Sequence, residues 1–188
     1  MELMSAIRDR RSIRVFDGLP VERAVIDELV LAATYAPSRM NTQPWHFHVA
    51  MGTARKRVGE VMAMTTSYLD EYIDVLGPEH IERAARFYAD LGSAPVVIGI
   101  SSAVTTDEHE ARDNAISVGA AIQNFLLAAN EHGLGSCSIS VPHWIRDRLA
   151  SVFEIPEGRE IMSLVLLGHA DETPEPKDRR VNVVSYLT

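Results

Sequence analysis

The feature that most constrains the fold is a long helical segment from Asp107 to His132, which is apolar or small on nearly every side. Its central residues are alanine, isoleucine, valine, glycine, phenylalanine and leucine, with few polar interruptions. A helix of this kind is buried on most sides, and its small residues allow another backbone to approach closely. Gly133 follows it and is expected to end it at the C′ position. The chain therefore needs other elements, or a second copy, to cover this helix.

Hydrophobic periodicity predicts how the remaining elements are arranged. Helical spacing of apolar residues is found at 26–33, 58–65, 81–88 and 145–152. Thr53 is the expected N-cap of the second of these helices. Strands are predicted at 45–49, 96–100, 136–141 and 160–168. Because helices and strands do not strictly alternate, we expect an α+β fold with helices packed on a sheet, in a single domain over residues 1–188.

Composition argues against several classes of function. With 188 residues, of which 46% are hydrophobic and 23% charged, the chain suits one globular domain. Its formal net charge of −8 argues against a nucleic-acid surface, which needs a basic face to displace phosphate counterions. No apolar run approaches the ~18 residues that a membrane span needs. The single cysteine, Cys137, cannot form an intrachain disulfide, so a cytoplasmic location is expected.

Two cationic clusters stand out in this acidic chain. The first contains a hydroxyl donor, Ser12, among the cations Arg8, Arg10, Arg11 and Arg14. Forked guanidinium donors with a hydroxyl suit the oxygens of a phosphate group, whereas the alternative is a solvated helix end. The second cluster contains Lys177, Arg179 and Arg180. For this second cluster the alternative is a solvated tail.

A polar loop separates the helix at 26–33 from the strand at 45–49. It carries hydroxyl, guanidinium and amide donors on Ser38, Arg39, Asn41 and Gln43. These donors match a ligand whose edge offers carbonyl oxygens and ring nitrogens, as a flavin does. The alternative is an ordinary turn, in which serine and asparagine side chains cap local backbone groups.

No catalytic constellation and no metal site can be defined from the sequence. The segment Gly133-Leu134-Gly135 follows a helix and precedes a strand, which is the reverse of a dinucleotide-binding glycine motif. Cys137 has no basic neighbour in the sequence to lower its pKa, so a buried small hydrophobe is the preferred interpretation. The histidines show no zinc-binding spacing, and His46 and His48 merely share one face of a predicted strand.

These motifs together resemble those of the FMN-dependent nitroreductase family, in its short, compact subgroup. The matching segments are Arg10-x-Ser12-x-Arg14, Pro37-Ser38-x-x-Asn41-x-Gln43-Pro44-Trp45, Gly133-Leu134-Gly135 and Lys177-x-Arg179. The resemblance implies a nitroreductase-like fold, in which helices flank a central mixed or antiparallel sheet and an extended C-terminal tail reaches the partner subunit. It also implies an obligate homodimer with flavin sites at the subunit interface, because in the family the polar loop crosses to the partner's flavin.

The resemblance also implies which residues bind FMN. The phosphate ligands it implies are Arg10, Arg11, Ser12, Arg14, Lys177 and Arg179, with Arg180 as a bystander. The loop residues it places at the flavin are Pro37, Ser38, Arg39, Asn41 and Gln43. Ser138, Ile139 and Ser140 would lie against the ring, although this sequence has Ser138 where the family often has an aromatic residue.

The function that the resemblance implies is an FMN-dependent oxidoreductase with NADH or NADPH as donor. It would pass electrons by a ping-pong mechanism to nitroaromatic, quinone or similar conjugated small molecules. Alternatives within the superfamily are flavin fragmentation and reductive dehalogenation, the latter with residues 66–86 as a candidate lid. An alternative from another class is a flavin-binding redox or interaction protein without turnover.

Overall fold

A four-stranded antiparallel sheet organises the chain. The computed structural model describes residues 2–67 and 77–187. Within them the strands are β1 (His46–Met51), β2 (Val96–Ala103), β3 (Gly135–Ser140) and β4 (Arg159–Gly168). Their spatial order is β1-β2-β4-β3, and every neighbouring pair is antiparallel. The two central strands are apolar and buried on both faces, which is why they read as nearly continuous hydrophobic runs.

Helices cover both faces of this sheet. They are α1 (Leu3–Asp9), α2 (Arg23–Thr34), α3 (Gly52–Ala63), α4 (Pro78–Asp90), α5 (Glu108–Glu131) and α6 (Arg146–Val152). Side chains of α2 and α5 form one apolar layer with Ile98 and Val165, and side chains of α3 and α6 form the other with Val97 and Leu166. Adjacent strand residues enter opposite layers because side chains alternate across a sheet. The predicted α+β class with an antiparallel sheet is confirmed.

The long helix α5 begins and ends as its sequence predicts, but one face is open. The carboxylate of Asp107 accepts hydrogen bonds from the backbone N–H of His109, at 2.8 Å, and of Glu110, at 3.3 Å. Within one chain the helix is not buried on most sides, since Ile116 is 65% exposed and Gly119 has no neighbour within 4 Å of where a Cβ would stand. Cover of this face by a second copy stays a prediction. Apolar residues all round a helix do not reveal whether the same chain covers every side.

Helix α3 corrects a second expectation. It begins at Gly52, and Met51 occupies the N-cap position without a side-chain hydrogen bond. Thr53 therefore lies inside the first turn and is not the N-cap. The strand β1 runs directly into the helix through Gly52, whose φ of +52° gives the sharp change of direction that glycine tolerates best.

Two further expectations concern particular segments. Of the candidate lid at 66–86, residues 68–76 lie outside the described residues. Among the helices of residues 2–67 and 77–187, none is long and apolar enough to cross a membrane.

Candidate functional site

The first cationic cluster is fixed by backbone pairing. Residues 12–17, which we call the clamp strand, run beside the beginning of β3 and the segment that follows β4. The N–H of Ile13 donates to the carbonyl of Ser136 at 3.1 Å, and the N–H of Asp171 donates to the carbonyl of Val15 at 3.0 Å. The side chains that follow α1 are therefore held by two separate parts of the sheet rather than projecting from a free helix end.

Two glycines allow the clamp strand to lie close to its neighbours. A Cβ on Gly92 would stand 1.8 Å from the carbonyl oxygen of Arg14, and the φ of Gly92 is +63°. The carbonyl of Gly92 accepts a hydrogen bond from the N–H of Phe16 at 2.9 Å. On the other side, a Cβ on Gly135 would stand 2.9 Å from the Ile13 side chain. Any larger residue at Gly92 would displace the backbone that carries Arg14.

Glu172 is a functional candidate that sequence reasoning missed. One of its carboxylate oxygens accepts hydrogen bonds from the backbone N–H groups of Arg14 and Val15, the second at 3.1 Å. Hydrogen bonds to a charged group contribute about 1.5–3 kcal/mol each. Glu172 thus ties the clamp strand to the segment after β4. Nothing in the local sequence indicates this role, because its partners lie 157 and 158 residues away.

The two cationic clusters meet at one pocket of about 160 Å³. Its lining residues are Arg10, Arg11, Ser12, Arg14, Pro174, Glu175, Lys177 and Arg179. Five cations thus face one carboxylate in a chain of net charge −8. All six residues to which the resemblance assigned the phosphate are brought together here. We call this group the cation clamp.

Among the described residues, the cation clamp has an excess of positive charge, with five cations and one carboxylate in its lining. Within the described ranges, none of its five cations forms an ion pair with a carboxylate. Burial lowers the pKa of Arg10 from its usual value, and the neighbouring Arg179 and Arg11 lower it further, against an opposing effect of Cys137. Five crowded cations with only one carboxylate among them favour the binding of an anion. A phosphate monoester, with two charges and several acceptor oxygens, fits this donor set.

Other predicted residues lie near the clamp but do not line its pocket. Ser138 and Ser140 are exposed on β3, an edge strand, and Ile139 between them is buried in the core. The hydroxyl groups of Ser138 and Ser163 lie 3.0 Å apart. The G-L-G segment lines a second, adjoining cavity of about 240 Å³ that shares Arg10 with the clamp.

Cys137 is buried beneath the clamp, and its thiol is expected to be unreactive. Burial raises the pKa of its thiol, and the opposing effects of Arg14, Arg10 and the Ser12 hydrogen bond do not overcome it. The sequence shows no cation beside Cys137, whereas the fold places two close to it. The thiol nonetheless has no solvent access, so it is not a nucleophile candidate.

The polar loop adopts a strained backbone conformation. Met40, Asn41 and Gln43 have φ values of +47°, +57° and +47°, and only asparagine among them tolerates this region well. Such residues cost about 1–3 kcal/mol each and persist only where surrounding contacts hold them. The hydroxyl of Ser38 accepts a hydrogen bond from the N–H of Gln43 at 3.0 Å, which closes the turn.

The loop and the cation clamp lie towards opposite ends of α5. Arg39 forms an ion pair with Asp113 in the second turn of the helix, at 2.9 Å, whereas Asn130 in its last turn lines the cavity beside the clamp. At 1.5 Å per residue, these two helical positions are about 25 Å apart. The structure therefore does not bring Pro37, Ser38, Arg39, Asn41 and Gln43 together with the clamp of the same chain.

A histidine cluster lies at the edge of the sheet next to the loop. The His46 and His48 ring centroids are 4.7 Å apart, and Nε2 of His48 is 2.9 Å from the Ser101 hydroxyl. Burial lowers the pKa of His48 to about 4, and the neighbouring His46 and Arg159 act in the same direction. In the part of the chain that the structure describes, no three side chains are grouped as metal ligands.

Comparison with known proteins decides the family. The profile of the nitroreductase family matches residues 7–169. The chain belongs to the nitroreductase family. This membership confirms the resemblance and the enzyme class it implied, an oxidoreductase that uses FMN with NADH or NADPH.

Individual relatives agree with the family assignment. The chain is 29% identical to nitroreductase NfnB of Mycolicibacterium smegmatis, with 89% of this chain and 82% of that protein covered. It is 28% identical to a nitrobenzene nitroreductase of Ectopseudomonas oleovorans, with 89% and 86% covered. The crystal structure of FMN-dependent nitroreductase NfnB from Mycobacterium smegmatis, in complex with NADPH, superposes with a TM-score of 0.80 at 20% identity, covering 98% of this chain and 97% of that one. That similarity confirms the nitroreductase-like fold.

Proposed function

We propose that this member of the nitroreductase family transfers electrons from NADH or NADPH to nitroaromatic, quinone or similar conjugated acceptors. The observation that carries the proposal is the cation clamp, in which two clusters distant in the sequence converge and five cations face a single carboxylate. A relative whose name gives nitrobenzene as its substrate supports the nitroaromatic class. The proposal includes quinones because they are also planar, electron-poor molecules.

The chain's own residues act by binding and orienting the cofactor. When bound, FMN supplies the centre that accepts and donates hydride. Arg10, Arg14 and Arg179 would hold its phosphate through forked, charge-assisted hydrogen bonds, with Arg11, Ser12 and Lys177 completing the shell. Donors of the polar loop would hold the ring edge and stabilise negative charge that develops there. Ser138 and Ser140 on β3 would lie against the ring, whereas Ile139 between them, whose side chain is buried in the core, would approach it only through its backbone.

A homodimer would complete this site. The loop of one chain does not reach its own clamp at the other end of α5, so in the proposed dimer it would contact the clamp of a second copy. The open face of α5 at Ile116, and exposed apolar side chains of the tail such as Tyr186 at 88% and Leu187 at 97%, support a partner surface. We include in the proposal that this tail reaches the partner. The single domain and the cytoplasmic location stay predictions.

The kinetic mechanism we propose is ping-pong. Among residues 2–67 and 77–187, no acid–base or nucleophilic group stands out near the clamp. Donor and acceptor would therefore need only to occupy the same face of the flavin, one after the other. Initial-rate plots at several acceptor concentrations should be parallel, and each substrate should inhibit competitively at high concentration. Intersecting plots would contradict the mechanism.

Rapid anaerobic bleaching of the bound flavin by NADH or NADPH would distinguish an enzyme from a protein that only binds the flavin.

The experiment that tests the function is FMN titration of clamp variants. Arg10→Ala and Arg14→Ala should each weaken FMN binding about 10- to 150-fold, because each removes charge-assisted hydrogen bonds of about 1.5–3 kcal/mol. Arg180→Ala is the matched control, since Arg180 belongs to the same cationic tail but does not line the pocket. Unchanged affinity in both clamp variants would contradict the assignment.

Subunit mixing tests the shared site. Arg14→Ala and Asn41→Ala chains should each bind FMN weakly as homodimers. After mixing and reassociation in equal amounts, about a quarter of the sites should regain tight binding, because half of the dimers are mixed and each mixed dimer has one undamaged site. A site built from one chain would give no recovery.

A further inference from the structure

The polar loop needs an anchor stronger than those within it. Three residues in the left-handed region are crowded into positions 40–43, and the loop side chains from Arg39 to Gln43 are exposed. The Arg39–Asp113 ion pair joins side chains that are 54% and 37% exposed, so solvent weakens it. The end of the loop, at Pro44 and Trp45, is buried. A firm attachment at that end would fix the strained turn before it.

Arg159 provides that attachment. Its Nη2 donates to the carbonyl of Pro44 at 2.6 Å and to the carbonyl of Ser101 at 2.9 Å, and its Nε donates to the Ser101 hydroxyl at 2.9 Å. One planar guanidinium thus joins the last residue of the loop to strand β2 across the start of β4. Arg159 lies 115 residues from Pro44 in the sequence, so neither residue's neighbours reveal the contact.

Ser101 and His48 orient the guanidinium. The side chain of Ser101 is fully buried, and its oxygen accepts from Arg159, so its own proton is available for Nε2 of His48, 2.9 Å away. The pattern assigns the neutral His48 tautomer with its proton on Nδ1, in agreement with the low pKa of this ring. A register shift at Ile100 and Ser101 places this hydroxyl beside a β-bulge.

We propose that Arg159 is a positioning residue, which holds the polar loop in the conformation that contacts the flavin of the partner subunit. Its role rests on the proposed contact between loop and flavin. Ser101, and through it His48, keeps the guanidinium in place. Arg159 itself donates to Pro44 and Ser101, so it would act on the flavin only through the loop.

Hydrogen exchange in the flavin-free protein tests the anchor directly. Arg159→Met removes every donor while keeping the apolar stem, and it should speed amide exchange at Asn41, Thr42 and Gln43 about tenfold or more. Arg159→Lys should restore part of the protection, because an ammonium can still reach one carbonyl. The control is Arg146→Met, which removes an ion pair with Glu160 at the same end of β4 but touches no loop residue. Unchanged exchange in Arg159→Met would overturn the proposal.

The bound flavin gives a second, independent measurement. In the FMN-loaded protein, Arg159→Met should shift the midpoint potential to more negative values, since loosened loop donors stabilise the reduced ring less. Arg146→Met should leave the potential unchanged. Faster exchange with an unchanged potential would support the anchor and contradict the proposed loop–flavin contact. Where Arg159→Met does not fold, Ser101→Ala replaces it, with a smaller rise in exchange expected and no rise as the contrary result.

Discussion

The cation clamp and the polar loop hold their polar groups in different ways. The clamp strand is held mainly by backbone hydrogen bonds, which join residues 12–17 to β3, to the turn at Gly92 and to the segment after β4. The loop stands on side chains, with Ser38 closing its turn and Arg159 attaching its end. Backbone pairing tolerates most side-chain changes but not a displaced main chain. The loop, in contrast, should be sensitive to the loss of the side chains that anchor it.

The largest effect is expected where the clamp's backbone contact is closest. Gly92→Ala should destabilise folding by about 3 kcal/mol or more, because a Cβ would overlap the Arg14 carbonyl at a positive φ. It should also abolish tight FMN binding. Gly133→Ala is the matched control, with a φ of +71° but open space around the Cβ, and should cost only about 1 kcal/mol. Chemical denaturation of both variants measures the difference, and equal losses would show that the close contact is not decisive.

Removal of the carboxylate that holds the clamp strand should have the next largest effect. Glu172→Ala should lower the free energy of unfolding by about 2 kcal/mol, since two N–H groups lose a charged acceptor. FMN affinity should fall with it, as Arg14 becomes less well placed. Glu175→Ala, which removes a carboxylate from the pocket lining itself, should instead strengthen FMN binding. A loss of affinity in both variants would contradict the distinction between holding the strand and repelling the ligand.

The contribution of His48, which supports the loop through Ser101 and Arg159, to the free energy of unfolding should depend on pH. The pKa of His48 is lowered from 6.5 to about 4 in the folded protein, so below pH 6.5 the unfolded chain takes up this proton first. Stability from the neutral ring is therefore complete above about pH 6.5 and is lost as the pH falls towards 4. Because the ring is partly exposed, solvent screens the effect, and we expect about 1 kcal/mol. The difference between wild type and His48→Gln across this range measures it, and parallel curves would refute it.

The smallest effect is expected at the surface of the loop. Arg39→Ala should change the free energy of unfolding by less than about 0.5 kcal/mol, because its ion pair with Asp113 is largely exposed. That small difference should shrink further in high salt. A loss above about 1.5 kcal/mol would mean that Arg39 shares the anchoring we assign to Arg159.

Local patterns in the sequence predict much of the fold. The alternation in β1, the apolar runs of β2 and β4, and the capped ends of α5 each follow from neighbouring residues. Thr53 was placed wrongly because a good capping residue does not exclude an abrupt start one residue earlier, at Gly52. The sequence indicates that α5 needs extensive cover, but not that Ile116 lies on the side left open, since an apolar surface looks the same whether its own chain or another covers it.

Sequence analysis predicted only those candidate site residues that belong to short motifs. The clamp cations sit in two compact clusters, and the resemblance to a family joined those clusters before the fold did. Glu172, Gly92 and Arg159 escaped prediction because each acts on the backbone of a distant residue. When a side chain contacts a backbone carbonyl or N–H group, the partner can be any residue type. Such a contact therefore produces no recognisable pattern in the sequence.

The separation of 158 residues between Arg14 and Glu172 has a consequence for how the protein is made. At about 5–20 residues per second, a ribosome delivers Glu172 roughly 8–30 seconds after Arg14. Through that interval the cations at 10–14 are on the nascent chain without the segment that fixes them. Contacts this distant in the sequence also close late in folding. FMN binding at the proposed clamp would therefore follow synthesis of residues 172–179, and would not guide the folding of the helices and strands that are made before them.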